Sequence, residues 1–167
     1  LPGPRTAVLL GGPTTATHFD RRALDELLAA LDATLADQGG CLLVCGSRRT
    51  PPEFAARVRE RCRERADRAW FDDSDGENFF PGALAWADRI VVSPDSVNLV
   101  SEACATEVPV FVAEPGRATG RVRRFLAGLE ASGRIRAQDR ELAAFAVTPL
   151  QETDRIAAQV RARFSPR

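Results

Sequence analysis

The fold is decided by residues 87–114, which read ADRIVVSPDSVNLVSEACATEVPVFVAE. A β-branched run at 90–92 leads into a polar loop at 93–96, and residues 97–104 carry apolar side chains at helical spacing. A second apolar run follows at 109–113. The pattern predicts strand, loop, helix and strand, which is the crossover unit of a parallel sheet. The loop then lies at the carboxyl end of a strand, where ligands bind in such folds.

This loop and its helix carry the first candidate ligand-binding residues. Asp95 or Ser96 suits the N-cap position, and the backbone N–H groups that begin at Val97 then point, with the helix dipole, at an anion such as a phosphate. Glu102 lies further along the helix, where its carboxylate can accept two hydrogen bonds from a diol such as a ribose. The alternative is that Asp95 and Ser96 only cap the helix and that Glu102 is only solvated.

A second candidate loop follows the apolar run at 6–10, which predicts a strand. Its sequence, Gly-Gly-Pro-Thr-Thr at 11–15, contains two glycines, which let backbone N–H groups approach a ligand closely. Gly12 and Thr14 are the candidate contacts, although the loop lacks both the GxGxxG dinucleotide fingerprint and the GK[ST] of a P-loop. His18 is the one histidine of the chain, and it is either a polar loop residue or a phosphate contact.

A third candidate loop follows the predicted strand at 41–45. It contributes four candidate ligand contacts, which are Ser47, Arg48, Arg49 and Thr50. The two arginines suit an anion clamp, because each guanidinium can bind phosphate oxygens bidentately. The alternative is two solvated arginines in a chain rich in them. Thr50 is also predicted as the N-cap of the next helix, with Pro51 as its first residue.

The rest of the chain alternates helices with short strands. Asp20 is predicted to cap a helix that stops at Gly39, and a brief strand is predicted at 69–71. Further helices are predicted from apolar spacing in residues 54–62, 84–87, 121–132 and from 153 onward. The charged run at 57–65 is interpreted as a solvated face, the acidic run at 72–77 as a surface turn rather than a calcium site, and segments 133–136 and 142–147 stay unassigned.

These elements predict one α/β domain over residues 1–167. We expect a three-layer, Rossmann-like domain with a parallel sheet of five or six strands, because strands and helices alternate along the chain. All three candidate loops then fall at strand carboxyl ends, so we expect them to line one crevice.

Composition limits the function classes. The chain has 167 residues and a formal net charge of zero, so there is no general electrostatic case for binding nucleic acid or an anionic membrane. It has neither a charged-then-apolar leader nor an apolar run near membrane-spanning length, so we expect no membrane span and a cytoplasmic location. All 23 basic residues are arginine, which indicates a high-GC coding bias and a bacterial source. Because it begins at Leu1 and contains no methionine, the chain is either processed or a fragment, and we expect a fragment that lacks a preceding domain.

The four cysteines show no metal-site pattern. Cys41, Cys45, Cys62 and Cys104 have neither CxxC spacing nor a neighbouring histidine, and three of them lie in apolar contexts. We therefore expect reduced, mostly buried thiols.

The central stretch resembles the donor-binding half of GT-B glycosyltransferases, in which an aspartate, an apolar strand, a polar loop and a helix bearing Glu-Ala precede Pro-Val. Taken with SRRTP at 47–51 and NFFPGALAWAD at 78–88, the chain is more closely similar to the mitochondrial fission ELM family and its bacterial homologues. The resemblance runs from about residue 8 to residue 160. It implies a GT-B carboxyl-terminal-domain-like fold, a histidine after the Gly-Gly-Pro loop that matches His18, and Phe79 or Phe80 near a nucleobase unless these rings pack in the core.

The resemblance implies a nucleotide-sugar as the ligand, with Arg117, Arg121 or Arg123 near its phosphates. It also implies an acceptor-side domain before Leu1 as the partner, so we expect this domain alone to bind but not to turn over the ligand. No catalytic residue is named, because the chain shows no Ser-His-Asp motif and no paired metal carboxylates. The rival hypothesis is a non-catalytic scaffold, which would expose a large apolar patch.

Overall fold

A computed structural model describes residues 1–63, 65 and 67–164, without the side chains of residues 153 and 154. Glu64 of the predicted charged run and the terminal residues 165–167 lie outside the described part. Within it, the chain alternates strands and helices along most of its length.

All strands belong to one parallel sheet. They are β1 (Arg5–Leu10), β2 (Cys41–Gly46), β3 (Arg68–Trp70), β4 (Arg89–Val92), β5 (Val110–Val112) and β6 (Ile135–Ala137). Their order is β3-β2-β1-β4-β5-β6, and every neighbouring pair is parallel. The predicted Rossmann-like α/β fold is therefore confirmed, with six strands among the described residues.

Helices cover both faces of the sheet. They are α1 (Arg21–Gln38), α2 (Pro52–Cys62), α3 (Phe80–Trp86), α4 (Val97–Cys104), α5 (Gly120–Ala131) and α6 (Glu152–Phe164). Successive side chains of a strand point to opposite faces, and the core divides accordingly. Val8 and Val91 pack with α1 and α2, whereas Ala7 and Ile90 pack with α3, α4 and α5. Two apolar layers thus enclose a sheet that is buried on both sides.

Helix α1 begins and ends where the sequence predicts. The Asp20 carboxylate accepts a hydrogen bond from the Ala23 amide at 2.9 Å, which caps the first turn. At the other end, Gly39 has a φ of 72° and its amide donates to the Leu35 carbonyl. A glycine tolerates that left-handed backbone without a steric penalty, so the helix stops there.

The prediction that Thr50 caps α2 is wrong. Helix α2 begins one residue later than predicted, at Pro52, and the N-cap position is Pro51, which makes no side-chain capping bond. The Thr50 hydroxyl instead lies 2.8 Å from the Leu10 carbonyl oxygen and 2.7 Å from that of Gly11. Because those carbonyls lie at the end of β1 and the start of the first loop, Thr50 connects the second loop to the first.

The expectation that residues 57–65 form a solvated face is also wrong in part. The Arg61 side chain is only 8% exposed, and its Nη1 donates to Asp67 at 2.6 Å. Arg59 pairs with both Asp72 and Asp75 in the acidic surface turn. Carboxylates that are distant in sequence therefore hold this helix face against the protein.

Strand β6 comes from a segment that the sequence left unassigned. Arg134, which precedes it, is 3% exposed, and its guanidinium donates to the carbonyls of Ala103, Cys104 and Thr106 at 2.8–3.1 Å. These acceptors are carbonyls at and just beyond the end of α4, where the helix dipole favours a nearby cation. Arg134 thus fixes the end of α4 while starting the edge strand.

The cysteine prediction is confirmed in its burial. Cys41, Cys45 and Cys104 are buried free thiols, and Cys62 is half-buried. Burial raises the pKa of Cys45 to about 12 and the pKa of Cys62 and of Cys104 to about 11. The thiols are therefore weak nucleophiles at neutral pH. A separate finding is that none of the helices in the described segments combines the length and apolarity needed to cross a bilayer.

Candidate functional site

The candidate site lies where β1, β2 and β4 end. Strand β1 is central, with β2 on one side and β4 on the other, so the direction in which the chain adds strands reverses between β1 and β4. At such a reversal the loops that follow the two strands run in opposite directions, which leaves a crevice between them at the carboxyl edge. Doubly wound α/β proteins bind ligands in this crevice.

Hydrogen bonds join the three candidate loops at this edge. The Gly11 amide donates to the Ser93 hydroxyl at 2.8 Å, and that hydroxyl donates to Asp95 Oδ1 at 2.6 Å. From the second loop, Arg49 Nη2 lies 3.4 Å from the Asp95 carbonyl oxygen, and Thr50 reaches the carbonyls that close β1. The predicted proximity of the loops is confirmed, while their role in binding stays a prediction.

The two glycines of the first loop are explained by this packing. A Cβ on Gly11 would lie 2.2 Å from Asp95 Oδ1, and a Cβ on Gly12 would lie 1.9 Å from the Arg49 carbonyl oxygen. Both distances are far below van der Waals contact, so neither position accepts a side chain without movement of the loops. The glycines bring backbone against backbone, whether or not Gly12 also contacts a ligand.

Asp95 turns inward rather than towards solvent. The residue is 4% exposed, and its Oδ2 is buried without a hydrogen-bond partner in the described part of the chain. Burial raises the pKa of Asp95, although the hydrogen bond from Ser93 and the charge of Arg49 favour its ionised form. An inward carboxyl group with one free oxygen is the main unsatisfied polar group at this edge.

Helix α4 begins at this edge as predicted. The Ser96 hydroxyl accepts a hydrogen bond from the Leu99 amide at 3.4 Å, which confirms Ser96 as the N-cap. Val97, the first residue of the helix, is 40% exposed. The first amides of a helix have no acceptor within it, and because Ser96 holds the amide of Leu99, those of Val97 and Asn98 are left for an acceptor from outside.

Arg48 and Arg49 carry exposed positive charge beside this helix start. Both residues are exposed, and neither forms an ion pair within residues 1–63, 65 and 67–164. Many other arginines of the chain do have carboxylate partners, as the pairs of Arg59 and Arg61 illustrate. The two loop arginines thus present positive charge that forms no salt bridge with a described carboxylate.

The hydroxyl groups of the candidate set are engaged within their own loops. Thr14 Oγ1 lies 2.7 Å from Thr17 Oγ1 and accepts from the Ala16 amide at 3.2 Å. Ser47 Oγ accepts from the Arg49 amide at 3.2 Å. These bonds shape the loops, and each oxygen keeps further acceptor capacity for a ligand.

The remaining candidates lie further out. Glu102 is exposed on α4, and the described residues provide no hydrogen bond to its side chain. His18 is exposed, and its amide donates to the Arg117 carbonyl at 3.2 Å. Arg117 itself pairs with Glu26 and Glu114 rather than pointing free. Phe79 and Phe80 are half-buried against the core on the α3 side, which favours packing for both rings.

Sequence analysis missed Ser93 as a site residue. Its hydroxyl is fully buried, and it bridges the first loop to the third. The signal that could have found it is a serine at the end of an all-apolar strand, where a buried hydroxyl needs backbone partners. Among the described residues, no group of three or more His, Cys, Asp or Glu side chains is placed to hold a metal ion.

Comparison with known proteins identifies relatives of the whole stretch. A family model described as mitochondrial fission ELM1 matches residues 1–164. Mitochondrial fission protein ELM1 of Arabidopsis thaliana is 26% identical over 171 residues, and the match covers 100% of this chain and 39% of the relative. The chain thus spans well under half the length of that relative.

Proposed function

The chain belongs to the mitochondrial fission ELM1 family, and we propose that this domain binds a nucleoside diphosphate or its sugar conjugate at the carboxyl edge of its sheet. The observation that carries the proposal is the pair of exposed arginines, Arg48 and Arg49, which form no ion pair with a carboxylate in the described part of the chain and lie at the same sheet edge as the start of α4. Guanidinium groups and helix amides are the groups that bind phosphate oxygens most effectively in proteins.

Each part of the ligand has a proposed contact. Arg48 and Arg49 hold the diphosphate, with the first amides of α4 from Val97 onward on the same oxygens. Glu102 accepts two hydrogen bonds from the ribose, because its carboxylate is exposed and has no protein partner in the described residues. Gly12, Asp95 and Ser96 form an inner group, which keeps the three loops at a fixed distance from one another.

We infer that this domain binds without catalysing transfer. The similarity of the central stretch to GT-B donor domains supports a glycosyl donor as ligand, and in such enzymes the acceptor approaches from a second domain. No acid, base or nucleophile is assigned here, so turnover would need groups from outside this chain.

Isothermal titration calorimetry with nucleoside diphosphates, their sugar conjugates and the bare nucleosides tests the proposal. A lost charged hydrogen bond costs about 1.5–3 kcal/mol, or roughly ten- to over a hundredfold in affinity. Arg48→Ala and Arg49→Ala should weaken phosphorylated ligands by that factor and leave nucleosides unchanged. Glu102→Ala should weaken all three classes alike. Arg63→Ala removes an exposed arginine at the far end of α2 and is the matched control.

A non-catalytic scaffold is the second candidate, and α6 favours it. Ile156, Val160 and Phe164 recur every four residues on this helix and are 51%, 49% and 79% exposed. An exposed apolar stripe of this kind suits a protein partner. If the folded domain binds no common nucleotide at millimolar concentration, the scaffold function replaces the nucleotide site.

A further inference from the structure

A cavity of about 520 Å³ lies at the opposite edge of the sheet from the three loops. Its lining includes Pro4, Arg89 and Pro109, which are at or beside the amino-terminal ends of β1, β4 and β5. Its volume is in the range of small-molecule sites. None of the residues assigned to the nucleotide site above lines it, so the two sites are independent.

The cavity contains a buried guanidinium with an unused nitrogen. Arg89 is 6% exposed; its Nε donates to the Thr6 hydroxyl at 2.9 Å, and its Nη1 donates to Gln38 Oε1 at 2.7 Å and approaches the Leu142 carbonyl oxygen at 3.4 Å. Nη2 is buried and has no partner among the residues that the structure describes. Its two N–H groups are thus left for an acceptor from outside the chain, which reaches them once the guanidinium turns towards the cavity.

The neighbouring carboxylate does not fill this role. Both Asp88 oxygens are held by Arg5, through its amide at 2.6 Å, its Nε at 3.1 Å and its Nη2 at 3.0 Å. Burial lowers the pKa of Arg89, because a desolvated cation without a bonded carboxylate is unfavourable. A protein keeps such a group at a cost in stability, and a bound anion offsets that cost.

The wall opposite Arg89 is fixed in place. Leu142 has a φ of 45°, its amide donates to Asp139 at 2.7 Å, and the preceding Glu141 carbonyl accepts from Gln38 Nε2 at 2.7 Å. A left-handed backbone at a leucine is strained and persists only where surrounding bonds enforce it. The backbone of this wall is therefore held in place, which lowers the entropic cost of binding.

We propose that this cavity binds an apolar monocarboxylate, with its carboxylate on Arg89 Nη2 and its apolar body against Pro4, Pro109, Ala143 and Ala144. Because Nε and Nη1 are already bonded, Nη2 donates a charge-assisted hydrogen bond to the carboxylate. The apolar wall favours a hydrocarbon body. Two exposed carboxylates, those of Asp88 and Glu141, also line the cavity and disfavour a second negative charge, so a phosphate dianion does not fit.

The test uses matched probes that differ only in charge. 3-Methylbutanoate, its amide and inorganic phosphate are titrated into the domain, and binding is followed by heteronuclear NMR and by thermal shift. We expect saturable changes with the carboxylate at residues around Arg89, and no changes at those residues with the amide or phosphate. Arg89→Met should weaken the carboxylate by roughly ten- to a hundredfold, the value of one lost charged hydrogen bond.

Two further variants keep the outcome decisive. Methionine at position 89 removes a cation without leaving a charge unpaired, so the variant is expected to fold. Ala143→Trp fills the cavity while Arg89 stays in place, and it should abolish binding as well. Arg49→Ala, at the other edge, should leave carboxylate affinity unchanged. Equal responses to acid and amide, no saturable response at all, or a crystal soaked in the acid that shows only a water on Nη2 would each overturn the proposal.

Discussion

The two sites at opposite edges of the sheet treat charge in opposite ways. At the carboxyl edge the cations are exposed, as Arg48 and Arg49, and the carboxyl group of Asp95 is buried. At the amino edge the carboxylates of Asp88 and Glu141 are exposed, and the guanidinium of Arg89 is buried. In each case the buried group retains one polar atom that no described residue of the chain bonds.

Exposed and buried charges therefore contribute to ligand binding in different ways. Exposed charge sets which ligands approach an edge, because its field extends through solvent. Buried charge is desolvated, so it costs stability when unpaired and contributes most when a ligand or partner satisfies it. The carboxyl edge is thus suited to anions such as phosphates, and the amino edge to a single, oriented negative group.

The largest expected effect comes from a buried charge that is paired. Asp67 lies at the start of β3, where it accepts from Arg61 Nη1 and from the Leu42 amide, both at 2.6 Å. Asp67→Ala removes one charged hydrogen bond from Arg61, which keeps Asp32 as its partner, and leaves the Leu42 amide buried without this acceptor; together these losses cost about 3–5 kcal/mol of unfolding free energy. Urea denaturation measures it. Arg89→Met, which removes an unpaired charge at the same edge, should cost far less; equal losses would break the distinction.

The fold was predictable because the spacing of apolar residues shows where the strands and helices lie. The β-branched run at 90–92 and the run at 6–10 gave the central strands within one residue of their observed bounds. Strand β6 was not predictable, because Arg134 before it looks like a solvated residue until the carbonyls at the end of α4 become its partners. Arg61 was misjudged for the same reason. Whether an arginine is buried depends on the partners that the fold brings to it, and the local sequence does not reveal those partners.

The next effect concerns backbone contact at the carboxyl edge. Gly12→Ala places a Cβ at 1.9 Å from the Arg49 carbonyl oxygen, so two loops must separate, at a cost of about 1–3 kcal/mol. Nucleotide affinity should fall with it, because Arg49 moves. Gly82→Ala is the matched control: its Cβ meets nothing within 4 Å inside α3, and the change should stabilise by about 0.5–1 kcal/mol. Equal thermal stability for the two variants would contradict the packing account.

The candidate site was predictable as a place and not in its detail. Three loops at strand ends must share an edge in a parallel sheet, so their meeting followed from the pattern at Gly11, Ser47 and Ser93. The structural role of each residue in these loops could not be predicted from that pattern. Asp95 faces inward because Ser93 and the bare Gly11 make room for it, and Thr50 serves β1 rather than its own helix. Which oxygen a short polar side chain bonds depends on loop geometry of a few tenths of an ångström.

The smallest expected effect tests the buried carboxyl group by its pH dependence. Burial raises the pKa of Asp95 above its unfolded value of about 3.9, so its ionisation opposes folding. The associated stability is fully present below that unfolded value and is lost as pH rises through the folded pKa. Asp95→Asn keeps an acceptor for Ser93 and removes the charge, so the variant should gain on the order of 1 kcal/mol over wild type at pH 7 and nothing near pH 4.

Asp88→Asn at the other edge should show the reverse sign. Hydrogen bonds from Arg5 lower the pKa of Asp88, so its stabilisation is present above the unfolded value and is lost as pH falls through the folded one. This variant should be less stable than wild type at pH 7, and the difference should shrink below about pH 4. Thermal unfolding of both variants from pH 4 to pH 8 makes the comparison. If Asp95→Asn were the less stable protein at neutral pH, Asp95 would be ionised and paired, and the two edges would treat their carboxyl groups alike.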